Sequence, residues 1–504
     1  MLFFMLTCTC LVCLAIMYSA IFNRRFEETL ALSVFSHMLL LYISAIIGYL
    51  SIGVIAVSAL SVAGMIIAVL VCLYREKFKN LVINTFTLGF VAFVFFLLII
   101  VVVTEGMTLP SDGPSELMAG YVRMIAENEG IKKVATLPFA KIGYQPGYAL
   151  FAYEFTALQS GFSDANVLRA ACIFVVAMIL PILSKIKWKS IVIGIFLVPT
   201  AGLLPWLTYP AMPMFNVLNV DVAVALTFGF MLVTYMCNKQ SGFVYIALGL
   251  GSAALCIMRP WAEILGLVML IIVVLDILCL GFRDTVDLFD RPGSWISIVF
   301  YIALAGASFL SWWVFAAKNG IHKWTQCIFI TNERKEALDG ILSQIHDALS
   351  GTATEGIIRL SYIWWIVIIL VMGLGAAVLG DGLLNKIRVG AQAVIVVAGF
   401  YVYMYGLAFV YAYVYPVDAD ITETLNTYLL VYLIGAVLFI LNHSINAVMN
   451  RFATYLRLPL IAIFVAMMLI VPFKQAASET VDKVSIDKIR ELELEPGELD
   501  LEIN

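Results

Sequence analysis

Hydrophobic residues occur along the chain in long runs that are separated by short polar connections. A helix that crosses a bilayer needs about 20 mostly apolar residues, so each run of that length predicts a membrane-spanning helix. Candidate runs lie near 1–22, 29–50, 52–73, 81–103, 165–184, 190–206, 221–237, 241–258, 262–281, 294–317, 359–380, 390–413, 426–442 and 457–473. The two longest polar interruptions, 104–164 and 318–358, predict large loops outside the bilayer.

The composition supports the same fold class. The 504 residues are 63% hydrophobic and 13% charged, with a mean hydropathy of +1.01, whereas soluble domains contain about 25% charged residues. We therefore predict an all-α polytopic membrane protein with about 13–14 transmembrane helices. Residues 1–473 would form one domain, followed by an acidic tail over 474–504. The net charge of −4 is small and no basic stripe is present, which argues against a nucleic-acid partner.

Lysine and arginine are distributed unevenly among the connections. Every second connection is basic, and the residues concerned are Arg24, Arg25, Arg75, Lys77, Lys79, Lys185, Lys187, Lys189, Lys239, Arg283, Arg291, Lys386, Arg388, Arg451 and Arg457. The short alternate connections at 51, 207–220 and 414–425 contain neither residue type. Because basic connections stay in the cytoplasm, we expect a multi-pass protein of the cell membrane whose N-terminus, two large loops and tail face outward.

Both large loops contain an amphipathic pattern. After Pro114, apolar residues recur at helical spacing and charged residues fall on the other side, which predicts a helix on the membrane surface. The apolar stripe is Leu117, Tyr121, Met124 and Ile125, opposite Glu116, Arg123 and Glu127. The run 148–158 is expected to re-enter the membrane or lie at its interface. In the second loop, Leu338, Ile341, Leu342, Ile345 and Leu349 form a similar stripe.

Several familiar signals predict no special chemistry. All nine cysteines except Cys327 lie in or at the ends of apolar segments, so a disulfide framework is not expected. The first segment is followed by its arginines and is predicted to be a retained helix. Gly249-Leu250-Gly251 lies within an apolar run and favours close helix packing over a dinucleotide site. Of four histidines, His322 and His346 share a loop, where surface positions are favoured over a metal pair.

Charged residues at predicted outer helix ends are the candidates for a site. Asp112 precedes Gly113-Pro114, a pattern that also suits a helix N-cap. Asp221 begins an otherwise uncharged helix and has the same two interpretations. Arg259 lies between two apolar runs, where it would reach lipid headgroups or bind the phosphate of a membrane-bound donor. Glu263, four residues later, would pair with it.

In order along the chain, these residues form a pattern that resembles bacterial members of the GT-C superfamily of membrane glycosyltransferases. An acidic motif falls on Asp112-Gly113-Pro114-Ser115-Glu116-Leu117, and a Tyr-Pro-Pro-Gly motif falls on Tyr144-Gln145-Pro146-Gly147. Further matches are Val220-Asp221, Arg259-Pro260-Trp261-Ala262, Ser311-Trp312 and Leu425-Asn426-Thr427-Tyr428-Leu429. The first motif retains only its Asp, an Arg replaces the family's Lys at 259, and Thr427 replaces a late Arg.

The resemblance implies transfer of a sugar from a polyprenyl-phosphate donor to a glycan, lipid or protein acceptor outside the membrane, with inversion. Asp112 would be the general base. Arg259 would stabilise the leaving phosphate, with Arg123 or Lys132 as substitutes. Glu116 and Asp221 would orient hydroxyl groups, and Tyr144 would contact the donor. No metal or other cofactor is required.

Two other classes remain open. A polysaccharide polymerase or ligase also has many helices and a large outer loop, but its loop is expected to concentrate arginines or histidines, whereas 104–164 contains only Arg123. A flippase or transporter for lipid-linked glycans is expected to have charges midway along its helices. A scaffold without activity would also fit the divergent motifs.

Overall fold

A computed structural model describes residues 2–109, 113–128, 130–131, 145–159, 161–195, 197, 218–238, 241–259, 261–278, 294–319, 332–350, 362–379, 383–414, 422–451, 457 and 459–462. The first helices are α1 (Leu2–Phe22), α2 (Phe26–Ile47), α3 (Leu50–Tyr74), α4 (Phe78–Thr85), α5 (Leu88–Val103), α6 (Gly113–Asn128), α7 (Gly147–Ala157) and α8 (Asp164–Ile179). They are followed by α9 (Val220–Met236), α10 (Gly242–Met258), α11 (Ala262–Asp276), α12 (Ser294–Lys318), α13 (Asn332–Ser350), α14 (Tyr362–Leu379), α15 (Leu383–Val414) and α16 (Thr422–Arg451).

The predicted all-α membrane fold is confirmed at this level. Over the described ranges there is no strand, and seven helices are long and apolar enough to cross a membrane. An eighth crossing results if α4 and α5, which meet at a 46° bend, form one span. Helices α9, α10 and α14 are apolar but shorter. The predicted total of 13–14 spans stays a prediction, and the tail 474–504 lies outside the described residues.

Contacts between the connections sort the helix ends into the two groups that the charge pattern predicts. At one end, Arg25 donates to the carbonyls of Ser184 and Ile186, Arg24 donates to Asn238, and Asn84 donates to Asn23. At the other end, Arg169 pairs with Glu105, Arg259 pairs with Asp221, and Arg334 donates to the carbonyl of Tyr413. Each contact joins residues in or near two connections of the same group. We refer to these as the basic end and the outer end of the bundle; the assignment of the basic end to the cytoplasm stays a prediction from charge.

Helix α7 occupies the interior of the bundle. It packs against α1, α2, α3, α6, α8 and α10, and every residue from Gly147 to Thr156 is buried. Helix α7 is therefore enclosed by neighbouring helices, and its position relative to the membrane interface stays a prediction. At its centre, Glu154 Oε1 lies 2.8 Å from His37 Nδ1, and His37 Nε2 lies 3.0 Å from the hydroxyl of Ser61. His37 and Ser61 lie near the middle of α2 and α3, so the pair is at mid-depth.

The two amphipathic helices are confirmed. In α6, Tyr121 and Ile125 are buried and Arg123 is exposed, because the apolar stripe packs onto α7. Helix α13 buries Ile341 and Ile345 against α15. Each helix therefore covers the bundle with the face that its sequence pattern predicts.

The predicted packing role of Gly249 is supported, since a Cβ there would lie 3.0 Å from the Cα of Tyr301 in α12. Asp276, the last residue of α11, is fully buried. It accepts a hydrogen bond from Tyr235 at 3.1 Å and lies 3.6 Å from Arg388. This acidic side chain joins α9, α11 and α15 close to the basic end.

Candidate functional site

Asp221 and Arg259 form an ion pair at the outer end of the bundle. Asp221 lies in the first turn of α9, and Arg259 directly follows the last residue of α10. The cap of α9 is Asn219, whose side-chain oxygen accepts from the backbone N–H of Asp221 at 2.7 Å. The capping interpretation of Asp221 is therefore wrong: its carboxylate binds Arg259. Two residues that lie 38 positions apart and that sequence reasoning assigned to one site are thus in direct contact.

The guanidinium of Arg259 is enclosed by protein. Its side chain is 11% exposed, it donates to the hydroxyl of Tyr428 at 3.0 Å, and its central carbon lies 5.0 Å from the centre of the Tyr428 ring. An arginine that extends to lipid headgroups would place its charge in water, so that interpretation does not fit. Burial of a charge is costly unless it is paired and hydrogen-bonded. Asp221 and Tyr428 together meet this requirement.

Aromatic rings surround the ion pair. Trp261 stacks on Tyr411 with ring centres 5.4 Å apart and an angle of 26°, and Tyr411 lies 6.0 Å from Tyr428. The hydroxyl of Tyr403 donates to the backbone carbonyl of Tyr428 at 3.2 Å. Trp261 has a φ of +82°, a strained backbone conformation for a bulky side chain. This conformation reverses the chain between α10 and α11 and lets the indole pack over the site.

The tyrosine series near the end of α15 is divided between two environments. Tyr403, Tyr411 and Tyr413 are buried, whereas Tyr401 and Tyr405 are exposed on the outer surface of the bundle. Tyr415 lies outside the described residues.

Glu263 does not pair with Arg259 as expected. The arginine contacts Asp221, and Glu263 Oε2 is buried without a hydrogen-bond partner in the described part of the chain. This orphaned acceptor lies two residues after Trp261, in the first turn of α11. It gives the neighbourhood of Arg259 a second carboxylate that can accept a hydrogen bond from a bound hydroxyl.

The described end of the Tyr144 to Gly147 motif adjoins the residues before Arg259. A Cβ at Gly147 would lie 2.7 Å from the carbonyl oxygen of Ile257, so only glycine permits this close approach of α7 to the last turn of α10. The neighbouring Gln145 is buried, and its Oε1 has no partner among the described residues. Two motifs that are far apart in sequence thus meet at the outer end.

Ion pairs hold the ends of the 104–164 loop. Arg169 in α8 donates to Thr104 at 2.9 Å and pairs with Glu105 at 2.9 Å. Asp164 pairs with Arg123 at 3.1 Å and accepts from the backbone N–H of Leu109 at 3.1 Å. Arg123, predicted to bind the donor, is therefore a link between α6 and α8, and it is not among the described contacts of Asp221 or Arg259.

The buried face of α6 completes this loop. Tyr121 lies on the buried face of α6. Burial raises the pKa of its phenol well above the ordinary value, because the charged phenolate would lose its hydration there. The predicted base Asp112, as well as Tyr144 and Lys132, lie outside the described residues. Glu116 lies in α6, but its side chain is also outside the description. Whether these residues join the Arg259 site stays a prediction.

Sequence reasoning missed three contributors to the site. Tyr428 hydrogen-bonds Arg259 and lies within the late motif 425–429, which offered a signal that could have identified it. Trp261 directly follows the Arg259-Pro260 pair. The sequence offered no means of choosing Tyr411 over the other aromatic residues of α15. Its contact with Trp261 depends on how α11 packs on α15.

The described residues contain no group of three or more His, Cys, Asp or Glu side chains that could hold a metal ion. The chain matches no protein-family model, no curated protein sequence and no solved structure. The chemistry must therefore be inferred from the site. A buried arginine with an acidic partner and stacked aromatic rings is suited to bind a phosphate next to a sugar or an isoprenoid chain.

Proposed function

We propose that the protein is an integral membrane glycosyltransferase of the GT-C type. It transfers a sugar from a polyprenyl-phosphate donor to a glycan, lipid or protein acceptor on the extracytoplasmic side. The observation that carries this proposal is the convergence of Arg259, Asp221 and Tyr428 with Trp261 at the outer helix ends. The site combines a phosphate-binding cation with aromatic surfaces where a membrane-embedded lipid can present its headgroup.

Arg259 would bind the donor phosphate. Its planar guanidinium suits the oxygen geometry of a phosphate, and its charge opposes the charge that develops as the lipid phosphate leaves. Asp221 and Tyr428 fix the guanidinium plane before the donor arrives. Asp221 is therefore assigned a positioning role in addition to the predicted contact with sugar hydroxyls.

The reaction follows the sequence resemblance. The acceptor hydroxyl oxygen attacks the anomeric carbon while the bond from that carbon to the phosphate oxygen breaks. The acceptor proton passes to the Asp112 carboxylate, and polyprenyl phosphate leaves, so the product glycoside has inverted configuration. Glu116 and Tyr144 contact the acceptor or the donor sugar. A positioned general base of this kind contributes about 10²- to 10⁴-fold to the rate.

A lipid-glycan flippase is the second candidate because the His37–Glu154 pair lies midway along the helices, where transport proteins keep ionisable residues. The two side chains are 0% and 1% exposed and are enclosed by α1, α2, α3 and α7. This enclosure favours a structural pair over a transport path. Translocation of a fluorescent lipid-linked sugar across liposomes, without any glycosyl product, would instead favour the flippase.

The direct test is transfer by purified protein in nanodiscs, with a panel of radiolabelled polyprenyl-phosphate sugars. We expect at least one donor to lose its sugar, and Asp112→Asn to reduce that rate by about 10²- to 10⁴-fold. Glu127→Gln, an exposed acid on α6, is the matched control and is expected to retain the rate. Near-normal turnover by Asp112→Asn would restore the capping interpretation of that residue. The absence of transfer from every donor would contradict the proposal.

A further inference from the structure

A groove near the basic end of the bundle is separate from the Arg259 site. It lies between α1, α3 and α4 and has a volume of about 520 Å³, within the range of about 300–1,000 Å³ for small-molecule sites. Its apolar walls include Met17, Ala20, Gly64 and Ala68. The small residues Ala20, Gly64 and Ala68 leave a channel between helices that otherwise pack closely.

The walls of the groove are in close contact at one point, and one side is open. A Cβ at Gly64 would lie 2.6 Å from the sulfur of Met17, so α1 and α3 approach each other closely there. Cys72 and Leu81 are buried in its wall, whereas Ile21 and Ile67 are about 60% exposed along its edge. Exposed isoleucines on membrane-spanning helices face lipid tails, so the groove opens toward the bilayer.

The other end of the groove is polar and positively charged. Arg75 and Lys77 line it together with the amide side chains of Asn23 and Asn80. Both basic residues are exposed, and neither forms an ion pair with another described residue. Glu76, which lies between them in sequence, is not among the lining residues. The charge at this end is therefore complementary to an anion.

The length of the groove corresponds to one leaflet. Gly64 lies in α3 and Arg75 directly follows the last residue of that helix. A helix rises 1.5 Å per residue, which separates the two positions by about 16 Å. Half of the hydrocarbon core of a bilayer is about 15 Å thick. A lipid whose phosphate lies at Arg75 would thus extend one acyl chain as far as Gly64.

We propose that this groove binds an anionic glycerophospholipid of the leaflet at the basic end. Its phosphate contacts Arg75 and Lys77, and one acyl chain lies along Ala20, Ala68 and Gly64. The combination of two unpaired cations, neutral amide donors and an apolar channel of leaflet length distinguishes it from a general basic surface. The site is independent of the sugar-transfer chemistry proposed for Arg259.

The test is a titration of the full-length protein in detergent with dioleoylphosphatidylglycerol or dioleoylphosphatidylcholine, followed by native mass spectrometry. We expect tighter binding of the anionic lipid. A basic residue near anionic lipid contributes about 1 kcal/mol, so Arg75→Ala or Lys77→Ala should weaken binding about fivefold and the double variant about 25-fold. Ala68→Leu, which fills the channel, should weaken binding of both lipids.

Lys79→Ala is the matched control, because Lys79 is exposed beside Lys77 but does not line the groove. Its affinity for phosphatidylglycerol is expected to stay within about twofold of the wild-type value, less than the loss of one contacting charge. Equal affinities for the two lipids would overturn the proposal. The same would follow if Lys79→Ala weakened binding as much as the double variant, or if inorganic phosphate alone competed at the lipid's concentration.

Discussion

Two buried pairs of ionisable side chains among the described residues, Arg259–Asp221 and His37–Glu154, have different surroundings. The first lies where two helices begin and end, is contacted by Tyr428, and is covered by the strained Trp261. The second lies midway along regular helices, with Ser61 on its far side. Both place charge-bearing side chains inside a membrane protein, but only the first adjoins the outer loops.

Proton positions distinguish the pairs further. The Ser61 hydroxyl donates to the carbonyl of Val57 at 2.8 Å, which leaves the Ser61 oxygen to accept a hydrogen bond from His37 Nε2. Nδ1 of His37 faces Glu154 Oε1 on the other side of the ring. Arg259 keeps its proton in proteins. A permanent cation suits phosphate binding, whereas a histidine–carboxylate contact enclosed by helices suits a structural link between them.

The comparison separates a functional pair from a structural one. Loss of the Arg259 charge should affect donor binding and transfer, and loss of the His37–Glu154 pair should affect folding. The variants below test this division, from the largest expected effect to the smallest.

His37→Ala should have the largest effect, on stability. It leaves Glu154 buried without its partner, and breaking a buried pair costs about 3–5 kcal/mol. We expect a loss of this size in the free energy of unfolding, measured by reversible denaturation in mixed micelles. The double variant His37→Gln/Glu154→Gln, which retains hydrogen-bonding groups, should recover most of it. A stable His37→Ala protein would show that the pair does not hold α7.

Asp221→Asn/Arg259→Gln should affect activity instead. The amides can hydrogen-bond to each other, so the fold is expected to remain, but the cation that stabilises the leaving phosphate is lost. Removal of one such stabilising group typically costs about 10²- to 10³-fold in rate. Transfer kinetics at saturating acceptor measure the effect, and His37→Gln/Glu154→Gln, expected to transfer at near the wild-type rate, is the control. Equal losses in both double variants would erase the proposed division.

Gly147→Ala tests how the inserted helix reaches the site. The added methyl would meet the backbone carbonyl of Ile257, which cannot move without displacing the end of α10. We expect a loss of about 1–3 kcal/mol in the free energy of unfolding, as for other overpacked positions. In Gly306→Ala, where no atom lies within 4 Å, stability should be unchanged or slightly higher. Similar results for both variants would argue against the close α7–α10 contact.

Tyr428→Phe should have the smallest effect. It removes the hydroxyl that accepts from Arg259 but keeps the ring beneath the guanidinium. Hydrogen bonds to charged groups contribute about 1.5–3 kcal/mol, and the lower value corresponds to a roughly tenfold rise in the KM for the donor. Tyr405→Phe, exposed on α15, is the control. An unchanged KM would remove Tyr428 from the site.

The sequence predicted those features that periodicity encodes. The stripes of α6 and α13 determined their buried faces, because each helix has one apolar side to cover. The order of the motifs predicted that Asp221 and Arg259 belong to one site. It did not predict that the two side chains form an ion pair. Side-chain partners depend on which helices are neighbours, and hydropathy does not specify neighbours.

The same reason explains the errors and omissions. The sequence did not predict that α7 is enclosed on all sides by other helices, where Glu154 contacts His37 of α2. Asp276 lies within an apolar run, and its partners Tyr235 and Arg388 are on two other helices inside the bundle. In both cases a polar residue within an apolar run found its partner on another helix, which no local pattern could reveal.

Equilibrium binding of a radiolabelled polyprenyl-phosphate sugar tests the central claim most directly. The donor should be one that the transfer panel identifies, and the proteins compared should be the wild type, Asp221→Asn/Arg259→Gln and His37→Gln/Glu154→Gln. Loss of a charge-assisted phosphate contact of about 1.5–3 kcal/mol predicts a Kd that rises about 10- to 100-fold in the first double variant alone. An unchanged Kd in that variant would contradict the assignment of Arg259 as the donor-phosphate site.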